Sequence, residues 1–512
     1  MGTEVSMESS TTPATHVARA DSPHLSDPEW EALQRLSTVI GDAAVATMLR
    51  TLTPTEQDGV ALGFIMREQR DAASSTTVSS GTTIAQAQFG TNIPEKHPAL
   101  ASQVCTKVTN VLAQVDHMDS DVVECVTEES SVVIDANWRK MANGEWNSTT
   151  CSTPKECAKI CGLEGADYAG KHSITTSGQT LNMKLETPGG VGTHVYMLEP
   201  SGKKYKQFQL LNQEFTFDVD MSSLPCGSND ALYFSKMDAD GGTSRFPINT
   251  AGAAYGTGYC DAQCMKDVKF INGEANMEKA YGACCTEMDI WEANSMATSY
   301  TTHPCSIDGQ QRCSADEDCG ATEANRYSGW CDKPGCGLNP FRMGNKKLYG
   351  RGKEFDIDTT RAFTVVTQFI TEDNTETGEL VEIRRLYKQG ARVVANPGST
   401  WPALNGTDSI TETMCKSSKA FFGDHPYAVG GLAQMGKQMI GGMTLAMSIW
   451  VDYGSNMAWL DSYKTGQDPS VPGALRGDCP NPGGDPESVF AESPDATVKF
   501  MNIRSGDFRS AY

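Results

Sequence analysis

The chain has 512 residues, 39% of them hydrophobic and 21% charged, which suits a folded protein with a sizeable core. Lys+Arg of 42 against Asp+Glu of 64 leaves a formal charge of −22, arguing against nucleic acid and anionic membranes as partners. No segment has the apolar length of a membrane span.

In chain order, residues 1–86 stand apart. They hold no cysteine, have Ser/Thr-rich stretches at both ends, and contain one helical patch. Ser26-Asp27-Pro28-Glu29 reads as a helix start, with Trp30, Leu33, Leu36 and Ile40 at helical spacing. A partly helical, partly disordered extension without chemistry is expected there. The first 30 residues carry no apolar run of the kind a signal peptide needs.

Residues 87–512 read as one β-rich domain. Strands are predicted at 131–137, 215–221, 231–237, 363–369, 381–387, 443–451 and 497–503, separated by turn clusters such as Asp238-Ala239-Asp240-Gly241-Gly242. Many short strands with long loops predict an all-β, two-sheet antiparallel sandwich. In 443–452, Leu445, Met447 and Ile449 share one face and suit a core. Ala446, Ser448, Trp450 and Asp452 share the other and suit a sugar cleft.

All 17 cysteines lie between Cys105 and Cys479, implying disulfides formed in an oxidising compartment, and hence secretion. Zinc is the weaker reading of Cys260-x3-Cys264 and Cys284-Cys285, because no histidine shares their spacing. The sequons at Asn147 and Asn405 fit an exported glycoprotein. Gly431-x4-Gly436-Lys437 lacks the Ser/Thr of a phosphate loop, having Gln438 instead, and Asp238-x-Asp240-Gly241 lacks the remaining ligands of a calcium loop.

The strong chemical signal is Glu287-Met288-Asp289-Ile290-Trp291-Glu292-Ala293-Asn294. Side chains alternate along a strand, so Glu287 and Asp289 point the same way. Glu292 points away unless an extra residue is absorbed as a β-bulge, in which case all three carboxylates line one face. Paired carboxyls flanking a bond, with a third acid to tune protonation, are a glycosidase arrangement. Such a pair needs no metal or organic cofactor.

With the preceding Cys284-Cys285-Thr286 and the following His303-Pro304-Cys305, this segment resembles family-7 glycoside hydrolases, the cellobiohydrolases and endoglucanases of cellulose breakdown. The resemblance runs from about Phe89 to Arg509. It includes SVVIDANW ending at Trp138, TFDVD ending at Asp220 and LPCGSNDALYF from Leu224 to Phe234. AGAAYGTGYCDAQC ending at Cys264, TVVTQF ending at Phe369 and PGALRGDC ending at Cys479 also match.

The resemblance implies a concave jelly-roll sandwich whose loops roof a substrate groove. It implies Glu287 as nucleophile, Asp289 positioning it, and Glu292 as acid/base. It further implies Asn229, Tyr233, Asp261 and Gln263 near the cleavage point, His303 and Arg326 on the leaving-group side, and Arg476 in the product site. Trp138, Trp450 and Trp459 would be sugar platforms. The implied disulfides are Cys105–Cys125, Cys226–Cys479, Cys260–Cys285, Cys264–Cys284, Cys305–Cys331, Cys313–Cys319 and Cys336–Cys415. A further family bridge is missing, since Gly162 stands at one of its positions, and Cys151, Cys157 and Cys161 leave one pair and one odd thiol.

The loops carrying Arg326 and Arg476 favour a cellobiohydrolase. Lys140 in place of an entrance tryptophan, short loops at 146–157 and 273–284, and Pro334 and Gly337 in place of two product-site acids imply an open roof and weaker product binding. The expected protein is a monomeric, secreted, retaining β-1,4-glucan hydrolase acting on cellulose or cello-oligosaccharide and releasing mainly cellobiose from chain ends. An endo-acting glucanase and a glucan-binding lectin are the alternatives. The three clustered acids argue against the lectin, because like charges side by side serve no pure binder.

Overall fold

The chain divides into Met1–Ala85 and Gln86–Tyr512, and the computed structural model describes residues 88–108, 122–146, 149–426, 429–481 and 483–512. The helix start at Ser26 and the sequon at Asn147 lie outside the described residues, whereas Asn405 is exposed.

The longer strands are β1 (Ser102–Val108), β2 (Val122–Glu128), β3 (Ser131–Ile134), β4 (Thr193–Leu198), β5 (Gln213–Asp220), β6 (Ser228–Ser235) and β7 (Glu287–Ala293). They continue with β8 (Thr298–His303), β9 (Cys336–Leu338), β10 (Phe363–Thr371), β11 (Leu380–Gln389), β12 (Arg392–Ala395), β13 (Met443–Val451) and β14 (Thr497–Gly506). A ten-stranded sheet runs β2-β1-β14-β5-β10-β11-β12, and an eight-stranded sheet runs β9-β8-β7-β6-β13-β4-β3, with shorter strands at their sides. Pairing is antiparallel except between β1 and β14. The two-sheet sandwich expected from the strand pattern is the fold observed.

Alternation along each strand builds two layers. Leu232 and Phe234 of β6 and Leu445, Met447 and Ile449 of β13 point into the core between the sheets, where they meet Phe215, Phe217, Val365, Phe369 and Phe500 from the other sheet. Phe215 and Phe234 meet edge to face at 5.0 Å. The opposite faces of β6 and β13 present Ala231, Tyr233 and Ala446 to a smaller cluster with Tyr196 and Tyr205. Ala231 and Tyr233 of that cluster line a cleft of about 1070 Å³. Truncating a fully buried side chain such as Trp291 to alanine would cost about 3–5 kcal/mol.

All seven predicted strands are present. The first is shorter than predicted, because the Asp135 side chain accepts a hydrogen bond from the Asn137 N–H (2.6 Å) and caps a short 3-10 turn, Ala136–Trp138. Trp138 therefore leaves the sheet and reaches the cleft. The Gly431 segment is helix α2 (Gly431–Met439), after α1 (Glu412–Phe422), so it holds no phosphate loop.

All seven implied disulfides form, together with Cys151–Cys157, and Cys161 is buried as a free thiol. A Cβ on Gly162 would lie 3.0 Å from the Phe89 backbone. Among the described residues no helix is long and apolar enough to cross a membrane.

Candidate active site

The acid motif is strand β7, in the middle of the eight-stranded sheet. Its approach is pinned by Cys260–Cys285 and Cys264–Cys284. Against β6, Ala231 faces Glu292, Leu232 faces Trp291 and Tyr233 faces Asp289, so Ile290 is the extra residue of a bulge. The β8 side shows the same break between Asp289 and Glu292. Ile290 and Trp291 consequently both enter the core, while Glu287, Asp289 and Glu292 all line the cleft. The bulge that the spacing demanded is present.

The bulge is held from behind. Arg385, on β11 of the opposite sheet and fully buried, donates from Nη2 to the Ile290 carbonyl. Its guanidinium lies 4.4 Å from the Tyr300 ring centroid and 5.8 Å from those of Trp291 and Tyr387. Trp291 Nε1 donates to Asp230 Oδ2 at 3.0 Å, fixing the indole in turn.

Each carboxyl has its own partner. Glu287 Oε2 accepts from the Ala262 N–H at 3.1 Å. Asp289 Oδ2 pairs with His303 Nε2 at 3.0 Å, and His303 Nδ1 donates to the Asp332 carbonyl at 2.8 Å. Glu292 Oε1 accepts from Asn229 Nδ2 at 3.1 Å, while Asn229 Oδ1 accepts from the Ala293 N–H at 3.0 Å. A side chain on Gly335 is excluded there, since its φ is +61° and a Cβ would stand 2.5 Å from His303 Nδ1.

Burial, then the Asp289 charge, pushes the Glu292 carboxyl up to about 8, against the opposing pull of His303 and Asn229. Glu287 is driven well above the carboxylate range by burial and by Asp289 and Asp261. Burial alone would lower His303; its pairing with Asp289 and the Asp332 carbonyl overrides this and raises it to about 9. The site thus holds a His303–Asp289 ion pair beside two glutamates, Glu287 and Glu292, that burial and neighbouring acids both push toward the protonated form.

A second chain of hydrogen bonds runs under the cleft. Tyr259 hydroxyl donates to Asp261 Oδ2 at 2.7 Å and so accepts from the Tyr233 hydroxyl at 3.0 Å. Tyr233 in turn accepts from His194 Nε2 at 2.9 Å, and burial lowers His194 to about 3, so the imidazole is neutral. Burial raises Asp261 to about 6, with Tyr259 opposing.

Trp138, Tyr233, Asp261, Gln263, His303, Arg326, Trp450, Trp459 and Arg476 all line the cleft with the three acids. Asn229 does not: it is fully buried and its amide is committed to Glu292 and Ala293. Trp450 and Trp459 stack with centroids 6.2 Å apart, and Trp459 Nε1 donates to Asp452 Oδ2 at 3.1 Å. Trp138 Nε1 donates to the Gly192 carbonyl at 2.8 Å. Tyr327, beside Arg326, stacks on His425 with centroids 3.3 Å apart, so two loops touch over the cleft.

Sequence reasoning missed His194 on β4, Tyr259 within the matched string ending at Cys264, Lys333, Arg342 and Asp424 on loops, and Lys419 on α1, all of which line the cleft. The two side-chain clusters with metal-like spacing among the described residues, Cys264/Cys284/Cys313 and Cys226/Asp461/Cys479, have their sulfurs locked in disulfides.

The family model described as Glycosyl hydrolase family 7 matches residues 89–512. Among solved structures, the chain is similar to a GH7 family cellobiohydrolase from Daphnia pulex, with 41% identity, a TM-score of 0.77, and coverage of 83% of this chain and 100% of that one. A cellobiohydrolase from Melanocarpus albomyces complexed with cellotetraose is 39% identical (TM-score 0.74), covering 83% of this chain and 99% of that one. The native endocellulase EGI of Humicola insolens is 34% identical (TM-score 0.69), covering 82% and 99%.

Proposed function

The chain belongs to glycosyl hydrolase family 7, and from that premise we propose that it hydrolyses β-1,4-glucosidic bonds of cellulose with retention of configuration, releasing mainly cellobiose from chain ends. The observation that carries this reading is the bulge at Ile290, which turns Glu287, Asp289 and Glu292 onto one cleft face. Retaining hydrolysis needs two carboxyls roughly 5 Å apart across the scissile bond.

In the proposed mechanism Glu292, protonated because its pKa is raised to about 8, gives its proton to the leaving glycosidic oxygen. Glu287 attacks the anomeric carbon in the microstate where it is the carboxylate and Glu292 carries the proton, forming a glycosyl ester as the leaving oxygen departs with that proton, aided by the Ala262 N–H. Glu292, now a carboxylate, takes a proton from water, and that water cleaves the ester. Asp289, held by His303, positions Glu287 and keeps a fixed negative charge against the oxocarbenium-like transition state. Trp138, Trp450 and Trp459 offer flat faces for glucosyl rings, and Arg326 and Arg476 receive the leaving units.

The Tyr327–His425 contact favours chain-end attack, because joined loops obstruct sideways entry of a polymer. An endo-acting reading is favoured by one observation, the exposed Lys140 where an aromatic would grip the incoming chain. Eight disulfides support secretion. Resolving soluble products from amorphous cellulose over time tests the reading. Cellobiose dominates from the earliest point if ends are attacked, whereas longer oligomers with a rapid fall in viscosity would establish endo action. No release would overturn glucan hydrolysis.

A further inference from the structure

Along β11 the buried, inward-facing positions are Ile383, Arg385 and Tyr387, while Arg384 is exposed and Leu386 and Lys388 are half-buried. An arginine thus stands where alternation calls for an apolar side chain. Taking a guanidinium out of water is costly, and packing alone would be served by an apolar side chain of similar volume. Arg385 gives Nη2 to the Ile290 carbonyl. Its Nε and Nη1 have no well-aligned hydrogen-bond partner, although the Tyr387 hydroxyl lies close to the guanidinium. The acids of this region are engaged elsewhere. Asp230 is bonded to Trp291 Nε1 and driven toward its neutral form by burial, Glu382 is paired with Arg384, and Asp408 is exposed.

Ile290 is what the arginine serves. It belongs to neither register of β7, since the β6 pairs pass from Asp289 to Trp291 and the β8 pairs from Asp289 to Glu292. A carbonyl left out of the ladder inside a buried sheet needs a donor from elsewhere. Arg385 supplies that donor from the opposite sheet. Its guanidinium also lies 4.4 Å from the Tyr300 ring centroid, and Tyr300 is the β8 residue facing the bulge, between the partners of Asp289 and Glu292. Ahead of the bulge, Glu287 and Asp289 are set by regular pairing with Ser235 and Tyr233 on one side and His303 and Thr301 on the other. Glu292 follows the bulge, so the bulge decides its separation from Glu287. The competing arrangement pairs Ile290 into the ladder and turns Glu292 toward the core. Burial, Asp289, His303 and Asn229 govern the proton affinity of Glu292, and Arg385 is not among them, so the arginine acts by position rather than by its field.

We propose that Arg385 is a positioning residue for the reaction: by holding the Ile290 carbonyl it fixes where Glu292 stands relative to Glu287, and so controls proton transfer to the leaving oxygen. The proposal rests on the reading of Glu292 as the acid/base. It puts a determinant of that proton transfer in the sandwich core, on the sheet that carries none of the three acids.

The test compares two substrates in the full chain and its variants. Cellotetraose has a leaving sugar that needs a proton, whereas a dinitrophenyl cellobioside has a leaving group that departs without one. The ratio kcat/KM is read for both, because it reports only the steps up to the glycosyl ester. In Arg385→Met, kcat/KM on cellotetraose should fall about ten- to a hundredfold through kcat, with KM little changed, while the loss on the aryl substrate stays within about threefold. Arg385→Lys, which can still donate to the carbonyl, should recover part of the difference and leave about a three- to tenfold loss on cellotetraose. Melting curves establish that each variant is folded. A role confined to folding changes only the amount of active protein and lowers both substrates by one factor. Equal losses, or no loss on cellotetraose, would therefore overturn the proposal. If Arg385→Met fails to fold, Arg385→Lys carries the same comparison, and equal losses there would overturn the proposal as well. Absence of turnover of both substrates by the unmodified protein would instead overturn the glycosidase reading, an outcome separate from equal losses in an active protein.

Discussion

The two ends of the cleft are made of different materials. The β3–β13 end presents Trp138 and Trp450, side chains carried by the sheet or by the turn that leaves it. The β9 end presents Lys333, Arg342, Lys419 and Arg476, carried by loops and by α1 and tied down by Cys305–Cys331, Cys336–Cys415 and Cys226–Cys479. Flat apolar faces accept a rigid ring in several registers, whereas charged groups read a specific substituent. In the proposed function one end holds the chain and the other receives what leaves it, with the acids of β7 at the junction.

Substitutions can break or sharpen this division. The largest effect belongs to neither end. Glu287→Gln should lower turnover on the order of 10⁴-fold or more while oligosaccharide binding, read by calorimetry, persists at both ends. Undiminished turnover would remove Glu287 from the chemistry.

Glu292→Gln should cost about 10²–10⁴-fold on natural linkages and much less on aryl glycosides whose leaving group needs no proton. In the unmodified protein kcat/KM should fall as pH rises through about 8, and this limb should vanish in the variant. Stability follows the same group. Its folded pKa lies above the ordinary 4.5, so its contribution is full below about 4.5 and is lost as pH rises through about 8. Melting temperature should decline across that window, less steeply in Glu292→Gln.

Trp450→Ala should have the smallest effect, about 1 kcal/mol or a five- to tenfold weaker grip on cello-oligosaccharide. Product inhibition should hardly move. If inhibition by released disaccharide weakened as much as substrate binding, the two ends would not be separable.

Much of this was legible in the chain. The faces of residues 443–452 follow from alternation alone, and the structure sends Leu445, Met447 and Ile449 to the core and Ser448 and Trp450 to the cleft. The bulge was legible too, because three acids at spacings of two and three cannot share a face without it. Lys419 was not legible. It sits in an ordinary helical stretch, and its place on the cleft depends on segments far apart in the chain that only the fold brings together. Asn229 was read as a substrate contact, whereas it lies beneath the cleft holding Glu292, a task set by a cross-strand register that its own string does not contain.

The bulge makes the chemistry a matter of parity. Between Glu287 and Glu292 the strand holds one residue more than an ideal ladder allows, so the acids share a face because residue 290 is left out of the pairing. Pairing Ile290 into a regular ladder would turn Glu292 to the core face filled by Trp291, whereas deleting Ile290 would leave the three acids on one face and take the Ile290 side chain out of the core. Because Arg385 clasps this surplus residue's carbonyl from the opposite sheet, the back of the sandwich is keeping count on behalf of the front.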